Sequence, residues 1–196
     1  DGRVLATGAA EKANFTVTPK NGNEYWRYKK KDGVIKFVKA ELKVTFVEIK
    51  CIRVDDNGST AEYYWTMKVD GQMKSERQES HPWNAGNGAR FPINESFTRT
   101  FSSFPVNAIP VNIDIWEDDN VDDDHIAITK AKLTYDYDSD QWRWTYDGSQ
   151  LNGDNEGNTS ANSDIRIGDG DEKTFTEHYF TRDGDTDVTI KISWKE

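Results

Sequence analysis

Cysteine, histidine, positive charge and long apolar runs are all scarce in this chain, and each scarcity closes off a class of function. A single cysteine, Cys51, permits no intramolecular disulfide and no thiolate zinc site. The three histidines, His81, His125 and His178, fall at no metal-ligand spacing. Neither a membrane-spanning run nor a signal peptide is visible, and the Asp-Gly start without methionine reads as a processed or trimmed fragment, so the missing signal does not exclude export. Lys+Arg 25 against Asp+Glu 35 leaves a net charge of −10, which excludes general nucleic-acid binding and opposes unaided docking on an anionic membrane. The motifs of nucleophilic catalysis are missing too: no G-x-S-x-G, no Cys-His pairing, no glycine-rich phosphate cradle. No catalytic residue is therefore expected.

What is present is a β pattern rich in rings. Hydrophobic residues make up only 35% of the 196, but Trp 7, Tyr 8 and Phe 9 supply large buried areas per side chain. "ELKVTFVEIKCI" alternates, setting Leu42, Val44, Phe46 and Glu48 on one face and Val47, Ile49 and Cys51 on the other. "EYYWTMKV" and "SFTRTFSSF" read as further strands. "VNIDIW" sets Val111, Ile113 and Ile115 against Asn112, Asp114 and Trp116. "KLTYDYDSDQWRWTY" reads as a hairpin, with Leu133, Tyr135 and Tyr137 on one arm and Trp142, Trp144 and Tyr146 on the other. "DVTIKISW" closes the chain with Val188, Ile190 and Ile192 on one side. No long helical stripe occurs, so the expected class is all-β, a sandwich. Residues 1–39 read as an N-terminal extension or the remnant of a preceding domain. Within them "KKKDG" reads as a solvated hairpin arm, with a basic-aromatic binding patch beside Tyr25, Trp26 and Tyr28 as the alternative. Residues 147–172, polar and rich in Gly, Asn, Asp and Ser, read as a long surface loop.

Acidic residues gather at strand ends. Asp55, Asp56 and Glu62 flank one turn; Glu117, Asp118, Asp119, Asp122, Asp123 and Asp124 fill another; "TRDGDTD" (181–187) is a third. Carboxylates brought together raise one another's pKa and strain the fold unless a cation neutralises them. Oxygen donors without His or Cys select Ca²⁺. A solvated turn is the plain alternative for any one such loop. Asp136, Asp138 and Asp140 mimic the start of an EF-hand loop but lack its glycine and closing glutamate. Trp142 and Trp144, at i and i+2, are either core or an exposed stacking platform for sugar rings.

The order of these segments resembles a C2 domain. "ELKVTFVEIKCIRVDDNGSTAEYYWTMKV" (41–69) is similar to the opening of that family, in which a strand leads to Asp, five residues, then Asp-Pro-Tyr. Asp56 and Glu62 hold the two acidic positions, and Tyr64 the tyrosine. "FPINESFTRTF" (91–101) and "VNIDIWEDDNVDDDHIAI" (111–128) resemble two later family segments. Glu stands for Asp at 62 and 117, Tyr63 for the proline, and the Asp119–Asp124 span is one residue short. The resemblance implies a C2-like eight-stranded antiparallel β-sandwich over residues 40–196. It implies Ca²⁺ held by Asp56, Glu62, Glu117, Asp119 and Asp124, with Asp55, Asp118, Asp122 and Asp123 as additional ligands. It further implies calcium-dependent association with an anionic phospholipid surface or a protein partner, with Val121 and Trp83 as candidate membrane contacts, the alternative for Trp83 beside Pro82 being to cover a core edge. On this reading the isolated domain is monomeric, belongs to the C-terminal part of a larger protein, and is secreted or displayed at the cell surface. A carbohydrate- or protein-binding sandwich with at most a structural calcium is the alternative.

Overall fold

The computed structural model describes residues 28–31, 34–37, 40–54, 60–101, 107–118, 123–136, 139, 141–146, 165–181 and 184–195. Two antiparallel sheets face each other, as the alternation requires. In chain order the strands among the described residues are β1 (Tyr28–Lys31), β2 (Val34–Phe37), β3 (Ala40–Val54), β4 (Ala61–Val69), β5 (Gln72–Arg77), β6 (Trp83–Ala85) and β7 (Arg90–Phe101). They continue as β8 (Ile109–Glu117), β9 (Asp124–Asp136), β10 (Gln141–Tyr146), β11 (Ile165–Ile167), β12 (Glu172–Phe180) and β13 (Gly184–Lys195). One sheet runs β12-β13-β3-β7; the other runs β11-β10-β9-β8-β4-β5, with β6 also paired to β4. β1 and β2 form their own antiparallel pair, Lys31 opposite Val34, which is the hairpin read from "KKKDG".

Alternation decides what is buried. Val111, Ile113 and Ile115 of β8 and Val188, Ile190 and Ile192 of β13 are all fully buried, while Asn112, Asp114 and Trp116 reach the outer face. Each such aliphatic side chain contributes roughly 1.5–3 kcal/mol by leaving water. The β9–β10 hairpin pairs Asp136 with Gln141 and buries Leu133, Tyr135, Trp142 and Trp144. Trp142 and Trp144 are both fully buried, so they are core and offer no sugar platform. The β4–β5 turn is Asp70-Gly71, with φ of 51° and 74° at the two residues. That is the left-handed pair a two-residue hairpin needs, and the reason Gly stands at 71.

Two expectations are corrected. Ile49 and Cys51 do not face away from Leu42, Val44 and Phe46; all five are fully buried. β13 pairs Ile190 with Phe46 and Thr189 with Glu48, so Val47 is an extra residue, and the bulge returns Ile49 and Cys51 to the core. Glu48 is thrown outward, where it accepts a hydrogen bond from Arg90. Within the expected loop 147–172, Ile165–Ile167 form β11 on the edge of β10, and Ile167 is fully buried. Two alternating isoleucines suffice to anchor that short strand. Tyr137 and residues 147–164 lie outside the described residues. Among the described residues no helix is long and apolar enough to cross a membrane.

Candidate metal centre

β4 and β8 are antiparallel neighbours, so the start of one lies beside the end of the other. Tyr63 pairs with Glu117, and the ladder continues one bond further, the Asp118 N–H donating to the Glu62 carbonyl at 2.8 Å. β9 starts at Asp124, opposite Glu117. The feet of the first two acidic turns therefore meet at one end of the sandwich. β3 arrives at the same end, with Val54 opposite Gly184. A Cβ on Gly184 would lie 3.2 Å from both the Arg53 carbonyl and the Tyr63 hydroxyl, so the third acidic segment is drawn in against both sheets.

A short stretch staples the feet of the first turn. β6 pairs Ala85 with Ala61 at the start of β4. Two residues on, Asn87 Oδ1 accepts the Val54 N–H at 2.7 Å, and the Gly88 N–H donates to the Cys51 carbonyl. The separation of the two feet is thus set by Ala85–Asn87.

β4 changes partner at this end, from β5 up to the Trp65–Arg77 pair to β6 from the Tyr63–Trp83 pair. The intervening residues 78–82 carry Glu79 toward the acidic turns. One carboxylate oxygen from each of Glu79, Asp118 and Asp123 lies within 4.8 Å of the others. The Tyr64 hydroxyl donates to Asp123 Oδ2 at 2.7 Å. Burial, and then the Asp123 carboxylate, push the Tyr64 phenol well above its ordinary value. Its ring stacks on Trp116 at 6.4 Å and 10°, and Trp116 stacks on His125 at 3.9 Å and 2°. His125 in turn bonds Asp114 through Nε2.

The expected ligands divide as follows. Asp118 and Asp123 are in the cluster. Glu79 is a member that the sequence reading missed, since an isolated glutamate in "RQESHPW" carries no local signal. Glu62 is exposed at the foot of β4, and Asp124 is half-buried at the foot of β9. Glu117 ends the inward row of β8, only 3% exposed, and its Oε1 accepts the Glu62 N–H at 3.3 Å. Asp55, Asp56, Asp119, Val121 and Asp122 lie outside the described residues, as do Asp138 and Asp140. In the third segment Asp185 is held by Arg53, whose guanidinium also donates to the Thr181 carbonyl, and Asp187 pairs with His178. Trp83 is half-buried, its ring 6.0 Å from Tyr63 and 5.5 Å from Phe91. It covers an edge of the core.

The donor set fits a hard divalent cation. All three clustered groups are carboxylates, and neither Cys nor His joins them.

No family model matches this chain, and no curated protein does. Solved structures similar to it include a C2 domain of plant extended synaptotagmin 1, at 10% identity and TM-score 0.40, covering 80% of this chain and 94% of that one. Calcium-bound extended synaptotagmin 2, with its pair of C2 domains, matches at 12% identity and TM-score 0.40, over 79% of this chain and 45% of that one. Human GIVD cytosolic phospholipase A2 matches at 14% identity and TM-score 0.39, over 81% of this chain. The chain spans 16% of that enzyme's length. Over about 80% of its length, this chain is similar in structure to C2 domains.

Proposed function

We propose that the loop end binds Ca²⁺ and that the loaded end docks on an anionic phospholipid surface, the chain acting as a non-catalytic targeting module of a larger protein. The observation that carries this reading is the convergence of the Glu79, Asp118 and Asp123 carboxylates within 4.8 Å, above the joined feet of two acidic turns. Without a cation, such a rim repels both itself and an anionic bilayer. Glu79, Asp118 and Asp123 would hold the ion, with Glu62 and Asp124 at the feet and Asp56 and Asp119 from the turns as further ligands. The ion supplies positive charge, and through it a coordination site for a lipid phosphate. Glu117 takes a supporting part, since its carboxylate fixes the Glu62 backbone. The module takes in residues 40–196, with 1–39 as an extension. An extracellular or cell-surface setting suits it, because calcium there is abundant enough to load sites with Kd of about 10⁻⁴–10⁻³ M.

Two measurements test the proposal. A thermal melt in calcium should have a higher midpoint than one in chelator, because the ion binds the folded state alone; saturation at about 100 times Kd corresponds to ~2.7 kcal/mol. The shift should vanish in Glu79→Gln/Asp118→Asn. Co-sedimentation with phosphatidylserine vesicles should require calcium and be lost in the same variant. A melt indifferent to calcium refutes the metal centre; a calcium shift without sedimentation refutes the membrane step alone.

A further inference from the structure

Asn94, Glu95 and Ser96 make an Asn-x-Ser triplet without a central proline, the acceptor pattern for N-linked oligosaccharide in exported proteins. Three other triplets begin at Asn14, Asn57 and Asn158, but Asn94 is the one among the described residues. Such triplets arise readily by chance, so the placement of the asparagine has to decide.

β7 is the terminal strand of its sheet. β3 pairs Phe46 with Glu95 and Glu48 with Pro92, which leaves Ile93 and Asn94 facing the single residue Val47. Asn94 takes up this irregularity with φ of 55°, a left-handed conformation that asparagine tolerates better than most residues with a side chain. Its side chain is exposed. A branched substituent leaving the strand here starts from solvent, at an interruption in the ladder, on the sheet's outermost strand.

We propose that Asn94 carries an N-linked oligosaccharide, a modification that rests on the extracellular setting of the reading above but not on its metal centre. In the transfer, Asn94 Nδ2 attacks the anomeric carbon of an oligosaccharide held on a lipid pyrophosphate. The C–N bond forms, the sugar C–O bond to phosphate breaks, and the pyrophosphoryl lipid leaves with the electron pair while the amide gives up one proton. The Ser96 hydroxyl is available to that reaction on the unfolded chain; in the folded one its Oγ lies 2.9 Å from Thr45 Oγ1. The attached sugar then shields β7 from edge-to-edge pairing with another sheet, the hazard of a terminal strand.

The test expresses the full chain behind an export signal in a eukaryotic host and recovers it from cells and medium together. Amidase release of N-glycans in heavy-oxygen water labels each modified asparagine as aspartate, read peptide by peptide by mass spectrometry. Label at Asn94, lost in Asn94→Gln, is the expected result. An unlabelled Asn94 peptide overturns the proposal, whether or not the other three triplets are labelled. Calcium melts on the same material are independent of this outcome, so the two readings fail separately.

Discussion

The two ends of the sandwich solve opposite problems. At one end Phe101, Tyr135, Trp142 and Trp194 converge from β7, β9, β10 and β13, their ring centroids 5.4–6.0 Å apart in tilted or edge-on contact across both sheets. Such packing adds aromatic contact energy to burial and places no carboxylate among the rings. At the other end the strands finish in carboxylates, and Tyr64 and Trp116 beside them stand on the outer face. One end carries stability and the other carries charge. A rim of like charge is tolerable because the rings at the far end hold the sheets together independently of it.

That division is best broken at the aromatic end. Trp142→Ala should cost about 3–5 kcal/mol in denaturant unfolding, the range for emptying a well-packed aromatic site. The shift in melting midpoint between calcium and chelator should survive unchanged. Loss of the calcium response in a variant that is still folded would show the two ends to be coupled.

A second effect depends on pH. Burial pushes the phenols of Tyr63, Tyr146 and Tyr179 well above their ordinary value; the Glu177 carboxylate adds to this for Tyr146, which donates its hydroxyl to it, and for Tyr179 beside it. The folded-state pKa is the raised one, so the stabilisation is complete below the unfolded value of about 10 and is lost as pH climbs through the raised values. The melting midpoint should therefore hold to roughly pH 9–10 and fall beyond it. Phenolate absorbance from these buried rings should appear together with unfolding. Their titration in the folded protein, ahead of unfolding, would contradict their burial.

Gly184 fastens the third acidic segment at the charged end. Gly184→Ala places a methyl 3.2 Å from the Arg53 carbonyl and the Tyr63 hydroxyl, with Ile126 Cδ1 at 3.6 Å. Crowding of that kind costs about 1–3 kcal/mol. An unchanged unfolding midpoint would mean that the third acidic segment is not tied to the sheets as tightly as its contacts imply.

Period-2 alternation made the body of the fold legible. The inward rows of β8 and β13 and the β9–β10 hairpin follow from residue type alone, because a half-buried strand must sort its side chains. Legibility stopped where the backbone departs from that period or where distant segments meet. Val47 reads as an ordinary strand residue, yet as a bulge it reverses every assignment after it in β3. Glu177 sits in a polar stretch, "EKTFTEHYF", that gave no strand signal, although its carboxylate is fully buried. At the candidate metal centre, clustering in sequence singled out Asp118 and Asp123 as additional ligands, while Glu62, Glu117 and Asp124, ranked before them, stand outside the group of three. Glu79 reaches Asp118 and Asp123 only because β4 exchanges β5 for β6, a pairing that no local pattern encodes.

The smallest predicted effect probes the charged end directly. Tyr64 donates its phenolic hydrogen to Asp123 and so offsets part of the repulsion among Glu79, Asp118 and Asp123 before any cation arrives. Tyr64→Phe removes that donor and keeps the ring on Trp116. Without calcium the variant should lose about 0.5–1.5 kcal/mol, the ordinary worth of a hydrogen bond. With calcium the ion neutralises Asp123 in the phenol's stead, so most of that loss should be recovered. The difference between the calcium and chelator melts is thus larger in Tyr64→Phe than in wild type, even though a contact has been deleted. A smaller difference would mean that the phenol orients Asp123 for the ion rather than substituting for it, and would make Tyr64 part of the binding site.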